Sequence, residues 1–321
     1  MKAAVYTRYG GPDVIRVEDL DKPVPRERQV LIRVRTAAVN PLDWRLMRGA
    51  PKVMRLLFGL RKPRILPGRD AAGEVESVGP NVTRFKPGDP VFGACYGAFA
   101  EYACAKESSL ALKPANVTFE QVAGLPVAGS TALQGLRDYA RIEPRQCILI
   151  NGAAGGVGSL AVQIARAFGA RVTGVCATNH LDFVRSIGAA RAIDYTREDF
   201  TLDSARYDVI YDCVANRSLS DCARVLKPAG TCVIAGAPHA MSSVGLVGYL
   251  LAPQIASRRG RKTFRTFVAK ISTGDLEVLA RLVESGTVAP IVDRRYALRE
   301  TAEAVAYVER GHARGKVLVV P

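Results

Sequence analysis

Apolar and polar positions change rhythm once along the chain, near residue 124. Before that point Val30-Leu31-Ile32-Arg33-Val34-Arg35-Thr36 alternates with a period of two over much of its length, and Gly73–Gly79 reads as a second strand. Turn signals recur at Gly10-Gly11-Pro12, Gly79-Pro80-Asn81 and Lys86-Pro87-Gly88-Asp89-Pro90. Up to about Phe119 the only helical feature expected is a short turn near Leu42–Arg48. From Gly124 on, short apolar runs alternate with helix-spaced segments. Ala128–Tyr139 predicts a helix leading into a strand that starts at Cys147. Ala192–Tyr195, Tyr207–Asp212 and Thr231–Ala235 read as further buried strands, with helices near Leu181–Ile187 and Leu219–Leu226. Thr263–Val268 reads as a last strand of this set. The tail adds helices near Asp275–Ser285 and Arg299–Arg310 and closes on the strand Lys316–Val320. Such alternation predicts an α/β domain with a doubly wound parallel sheet and right-handed crossovers, preceded by a β-rich domain.

The stretch Cys147-Ile148-Leu149-Ile150-Asn151-Gly152-Ala153-Ala154-Gly155-Gly156-Val157-Gly158 organises the α/β part. Its first half has the length of a buried parallel strand, and its second half is almost all Gly and Ala. Leu160, Ala161, Ile164, Ala165 and Phe168 then recur at helical spacing, and Gly169 ends the helix. Strand, glycine turn and helix together are the context of a dinucleotide fingerprint. A pyrophosphate needs bare backbone and the unpaired first-turn N–H groups of a helix. Gly152, Ala154, Gly155, Gly156, Val157 and Gly158 are therefore candidate cofactor contacts. The first glycine of the usual pattern is Ala153 here, with Gly152 just upstream. Arg171–Cys176 follows as a second strand at the βαβ distance. The strand end after it reads Ala177-Thr178-Asn179-His180 and holds no carboxylate for a ribose 2′-OH, which favours NADPH over NADH.

At 321 residues the chain is long enough for about two domains. Seven cysteines are scattered, with no C-x-x-C pair, which fits a reducing, cytoplasmic setting. Met1–Tyr6 already reads as a strand, so no signal peptide is expected. The net charge of +15 favours anionic ligands, NADPH among them. The basic density peaks at Ser257–Lys262, just after the apolar run Val244–Ala252, which is too short to span a bilayer. That run is open to three readings: core or subunit packing, which the pattern favours, or weak contact with a membrane surface. Aromatic residues are not interleaved with a basic stripe, so nucleic acid is not expected as a partner.

Taken together, several motifs resemble the zinc-free, quinone-oxidoreductase-like branch of the medium-chain dehydrogenases/reductases, over nearly the whole chain. They are Ala38–Trp44, Gly68–Val75, Leu125–Leu133, the glycine turn, Asp194-Tyr195 and Gly311–Lys316. The resemblance implies a GroES-like catalytic domain built from both chain ends (1–123 and 270–321) around a Rossmann NADPH-binding domain (124–269). It also implies a homodimer, formed through the strand near Phe264–Val268. Asn40-Pro41 and Arg69-Asp70 stand where zinc-dependent relatives would carry ligands, so no metal is expected.

Further site residues are carried over from the resemblance. Asn40 and Thr131 match positions near the nicotinamide end; the plainer alternatives are a turn residue before Pro41 and a helix-capping hydroxyl. Tyr195 matches a residue near the adenosine phosphate, or else a core strand end. Ala235 and Gly236 end a strand at the ligand crevice of such sheets. His312, Ala313 and Arg314 match a C-terminal cofactor-contacting motif. Tyr96 is not carried over from the resemblance: its place in a turn makes it a candidate proton donor, against the favoured alternative of a surface turn residue. The expected activity is NADPH-dependent, metal-free hydride transfer to quinones or α,β-unsaturated carbonyl compounds. The alternatives are an oxo-lipid reductase at a membrane surface, and an NADPH-binding protein with a non-enzymatic, partner-binding role.

Overall fold

The computed structural model describes residues 1–238, 242–258 and 260–321. His239, Ala240, Met241 and Arg259 lie outside the described residues, as does the side chain of Val244; of these Val244 belongs to the apolar run and Arg259 to the basic one. The chain forms two units. One comprises Met1–Ser130, Ile271–Gly286 and Pro290–Pro321; the other comprises Thr131–Lys270 and Thr287–Ala289. The chain crosses between them at Ser130/Thr131, Lys270/Ile271, Gly286/Thr287 and Ala289/Pro290; the resemblance implied 123/124 and 269/270.

The first unit begins with the antiparallel pair β1 (Lys2–Tyr6) and β2 (Ile15–Asp19). Strand β3 (Gln29–Val39) follows, then helices α1 (Pro41–Arg48) and α2 (Met54–Phe58). Strands β4 (Asp70–Val78), β5 (Pro90–Cys95) and β6 (Tyr102–Leu112) come next, then α3 (Phe119–Ala123) and α4 (Pro126–Gln134), whose residues from Thr131 on belong to the second unit. Strand β3 pairs with both β4 and β6, so the four strands close on themselves. Its even-numbered residues Val30, Ile32 and Val34 are buried, as the period-two pattern requires.

In the second unit β7 (Cys147–Asn151), α5 (Gly156–Ala167) and β8 (Arg171–Cys176) form the first βαβ step. Helix α6 (Leu181–Ser186), β9 (Arg191–Asp194), β10 (Tyr207–Asp212) and α7 (Leu219–Val225) continue it. Strand β11 (Leu226–Ile234), helix α8 (Ser243–Arg258) and β12 (Thr263–Thr266) complete it. The sheet order is β12-β11-β10-β7-β8-β9, all parallel, so the winding reverses between β7 and β10. That reversal is where ligands bind in open α/β sheets. Ile148, Leu149 and Ile150 in β7 are fully buried, because a central parallel strand is covered on both faces. Helix α5 is buried from Gly158 to Ala165, Leu160, Val162 and Ile164 included; each large aliphatic group here contributes about 1.5–3 kcal/mol.

The chain then returns to the first unit with α9 (Thr273–Glu284), β13 (Val292–Ala297), α10 (Thr301–Glu309) and β14 (Lys316–Val320). Strand β14 pairs with β3, completing the order β13-β14-β3-β4-β5-β6.

Four features differ from the sequence expectation. The helix expected over Ala128–Tyr139 ends at Gln134 and widens into a π-type turn, Gly135–Ala140. Gly135 abuts Tyr211, and a Cβ there would lie 2.3 Å from the ring. Helix α2 escaped the pattern because its leucines face solvent. Strand β13 escaped it because Asp293, Arg294 and Arg295 interrupt any apolar rhythm. Finally, the apolar run after Ser243 is a helix, yet Val247, Leu250, Leu251 and Ile255 are exposed, which rules out core packing for those side chains.

Candidate functional site

In the second unit the expected cofactor contacts gather at the carboxyl edge of the parallel sheet. The turn after β7 enters at Gly152, whose φ of +83° is a left-handed conformation that favours glycine. Gly152 and Ala153 both donate to Val175 O, pinning the turn against β8. Gly155 caps α5, and Ser159 N makes the first helical bond, onto Gly155 O at 2.8 Å. The N–H groups of Gly156, Val157 and Gly158 precede that bond and have no acceptor within the helix. Gly158 packs so closely on the turn that an added Cβ would lie 2.1 Å from Gly152 O, whereas one on Gly155 would meet nothing nearer than 3.5 Å. Gly158 is thus fixed by packing, and Gly155 leaves room beside the free donors. Three N–H groups, a bare backbone and a positive helix end fit a pyrophosphate.

The neighbouring strand ends carry the remaining contacts. Ala177-Thr178-Asn179-His180 forms a tight turn after β8, and Tyr195 follows β9 with its side chain exposed. The end of β8 itself holds no carboxylate, as expected, but the register brings one from the neighbouring strand. Cys176 pairs with Asp194, so β9 delivers a carboxylate beside Thr178. Thr178 Oγ1 donates to Asp194 Oδ2 at 2.5 Å, and Thr196 donates to Oδ1 through its backbone N and its hydroxyl. The Thr178 hydroxyl, helped by Thr196, holds the Asp194 carboxyl below the usual range. Both oxygens are therefore engaged, and Arg197 lies 3.7 Å away. Close by, His180 Nδ1 is buried without a hydrogen-bond partner, an atom a bound group could satisfy.

Ala235 and Gly236 follow β11, and their N–H groups both donate to Asp212 O at 2.9 Å. Asp212 was not among the predicted residues, yet it ties the edge together. Its Oδ1 accepts from Asn151 Nδ2, Val214 N and Ala215 N at 2.9–3.0 Å. The only signal in the sequence was a carboxylate closing the apolar run Val209-Ile210-Tyr211. Thr131 lies on α4, and its carbonyl accepts the Tyr211 hydroxyl at 2.8 Å.

Asn40, Tyr96 and His312–Arg314 belong to the first unit. His312 and Arg314 are exposed between α10 and β14, and Arg314 N donates to Asp293 Oδ2. Tyr96 is also exposed, with the Arg69 guanidinium 4.0 Å from its ring centroid. Asn40, expected near the nicotinamide, is held by its own neighbours. It is buried, and its Nδ2 donates to Ala38 O and to Asp70 Oδ2, while its Oδ1 accepts from Lys316 Nζ at 2.7 Å. Lys316 Nζ also reaches Val39 O at 3.2 Å and Asp70 Oδ2 at 3.4 Å. Asp70 Oδ1 accepts from Val127 N. Asp43 reaches back to Asn40 N at 2.7 Å, closing the start of α1, and accepts from Gly68 N. Asn40 is thus a positioning residue in a buried polar network. Among the described residues there is no group of three His, Cys, Asp or Glu suited to a metal ion.

Burial is the main force raising the Asp43 carboxyl, to about 7; the Asn40 N–H opposes it, nearby Asp70 adds to it and Lys316 opposes it. Asp70 is also raised by burial, with Lys316 the largest counterweight.

Comparison with known proteins agrees with this architecture. The family described as alcohol dehydrogenase GroES-like domain matches residues 26–115, and that described as zinc-binding dehydrogenase matches residues 187–319. The chain is 37% identical to an NADPH-dependent alkenal/one oxidoreductase, chloroplastic, of Arabidopsis thaliana, over 100% of this chain and 80% of the relative. It is 35% identical to a 2-methylene-furan-3-one reductase of Solanum lycopersicum, over 100% of this chain and 79% of the relative. A solved quinone oxidoreductase from Coxiella burnetii superposes with a TM-score of 0.88 at 28% identity, covering 100% of this chain and 99% of that one.

Two outcomes follow from the buried network, with the single tryptophan, Trp44 on α1, as the reporter. Lys316→Met leaves Asp70 without its cation and should cost about 3–5 kcal/mol in urea unfolding, while adding Asp70→Asn should recover part of the loss. An unchanged midpoint for the single variant would show that the pair carries no such weight. The raised Asp43 means the folded state binds its proton more tightly than the unfolded chain. The associated stability is present below about pH 4 and is lost as pH rises to about 7. Between those values the wild type should lose a few kcal/mol relative to Asp43→Asn; parallel pH profiles would contradict it.

Proposed function

The chain belongs to the quinone-oxidoreductase-like family of medium-chain dehydrogenases/reductases, and from that premise we propose that it reduces quinones or α,β-unsaturated carbonyl compounds with NADPH, without metal. The observation that carries this reading is the bare, donor-rich first turn of α5. When bound there, NADPH supplies a hydride for the conjugated carbon or quinone ring of the acceptor. The Gly156–Gly158 N–H groups hold the pyrophosphate, and Gly155 gives it room. Asn179 and His180 offer amide and imidazole groups toward a 2′-phosphate, while the one hydroxyl proton of Thr178 is given to Asp194. Asp194 stays ionised under its two threonines, and the Arg197 guanidinium 3.7 Å away is the positive charge that offsets it beside that phosphate. The metal-free reading is supported by Lys316, whose ammonium already serves as the cation for Asp70 and Asn40.

The cytoplasmic setting remains our proposal. It is supported by seven free thiols, including the hydrogen-bonded neighbours Cys222 and Cys232. We also propose a homodimer in which the β12 edges of two copies pair. That edge strand carries exposed Arg265, so both pairing edges are cationic and screening favours the contact.

NADPH oxidation should accelerate with members of a quinone and enone panel, fall markedly with NADH, and survive a chelator unchanged. Loss of activity on chelation would overturn the metal-free reading. If NADPH binds but no acceptor speeds its oxidation, the chain is a cofactor-binding protein with a non-enzymatic partner. Sedimentation velocity should show the dimer fraction rising from low to physiological salt; a monomer under all conditions would contradict the pairing.

A further inference from the structure

Two stretches of the chain, Trp44–Arg69 and Cys222–Gly274, contain sixteen Lys and Arg and not one Asp or Glu. The rest of the chain is one charge from neutral, so the entire excess of +15 lies in these two stretches. They also hold nine of the fifteen exposed large apolar side chains among the described residues. Charge and exposed hydrocarbon therefore coincide in both places, an arrangement that solubility alone does not call for.

In the first stretch Leu56, Leu57 and Leu60 are 72%, 76% and 68% exposed on and just after α2. Lys52, Arg61, Lys62 and Arg64 flank them, all exposed. The segment is held in place from behind. The Arg55 guanidinium lies over the Tyr9 ring and donates to Gly49 O, and the Tyr9 hydroxyl donates to Gly59 O at 2.6 Å. In the second stretch α8 is anchored along one side. Pro253 is buried, the Tyr249 hydroxyl donates to Gly236 O, and the Ser257 hydroxyl donates to Phe264 O. Its outer side presents Val247, Leu251 and Ile255 at successive helical turns with Leu250 beside them, and exposed Arg258 and Arg261 follow.

We propose that α2 and α8 are docking elements for an anionic lipid surface. Leucines backed by a fixed element and rimmed by Lys and Arg match an interfacial segment, whose apolar groups enter the headgroup boundary while the cations meet anionic lipid. Each such cation is worth roughly fivefold in partitioning. The proposed pairing of two copies uses the β12 edge and leaves the exposed sides of α2 and α8 uncovered; a two-fold contact through either of those would set its ring of cations against the same ring with no acid to meet it. Nucleic acid also fits poorly, since the exposed apolar groups here are aliphatic and give bases nothing to stack on. Among the described residues no helix is long and apolar enough to cross a membrane, so the contact is peripheral.

The test is co-sedimentation of the full chain with phosphatidylcholine vesicles, with and without phosphatidylglycerol, at physiological salt. This readout does not involve turnover and so stands apart from the reductase reading. The protein should pellet with the anionic vesicles, remain in solution with the neutral ones, and be released as salt rises. Leu56→Glu with Leu57→Glu, and separately Leu250→Glu with Leu251→Glu, should each lower partitioning on the order of thirtyfold at unchanged melting temperature. Protein left in the supernatant with both vesicle types would overturn the proposal. So would salt-sensitive binding that ignores the leucine changes, which is plain charge adsorption. Dissociation of an oligomer by those changes at constant vesicle binding would reassign the faces to a subunit contact. Should either pair fail to fold, Leu57→Trp and Leu251→Trp report directly: brominated lipid should quench them beyond the buried Trp44, and unquenched emission would refute docking.

Discussion

The contact of Gly158 with the carbonyl of Gly152 is the constraint on which the second unit depends. It brings the first turn of α5 onto the turn after β7 with no side chain between them, which is why a Cβ at that point would collide. The three N–H groups ahead of the first helical bond are then held at a fixed place on the sheet edge. Their direction is set by the strand, so no ordering of the backbone is required when an anion arrives. Asp212 holds the next two strand ends in the same fashion, through its carboxylate and its main-chain oxygen. The site is thus built mainly from backbone donors fixed by neighbouring strands.

The first unit solves a different problem. Lys316, Asp70, Asn40 and Asp43 lie buried where an apolar cluster would stabilise the fold at least as well. Each polar group finds a partner, and the pieces joined are far apart in sequence: the ends of β3, β4 and β14 and the start of α1. A network of this kind fixes which strand ends meet, because a shifted register would leave a charge unpaired in the core. It also spends the amide of Asn40 on architecture.

Much of this was legible in the sequence. The glycine turn stood out because strand, turn and helix each left a separate mark around Cys147–Phe168. The parallel strands showed as apolar runs because burial on both faces suppresses alternation. What escaped did so for stated physical reasons. Helix α2 carries its leucines outward, so no core-facing stripe exists to be read. Strand β13 is held by pairing with β14 rather than by an apolar face. Asp194 could not be placed beside Thr178 from one strand alone, because that contact depends on the register between β8 and β9. Lys316 appeared as a charge opening an apolar strand, and its three acceptors come from segments some 250 residues away in the chain.

The fold therefore separates its tasks. Backbone donors receive the cofactor in one unit, a satisfied polar core shapes the other, and two acid-free stretches carry the charge excess. The central claim is that the bare first turn of α5 receives the dinucleotide. Amide hydrogen exchange with and without NADPH tests it most directly. The account predicts slowed exchange at Gly156, Val157 and Gly158 on saturation. Unchanged exchange at those three amides, in a protein that still reduces quinones or enones with NADPH, would contradict it.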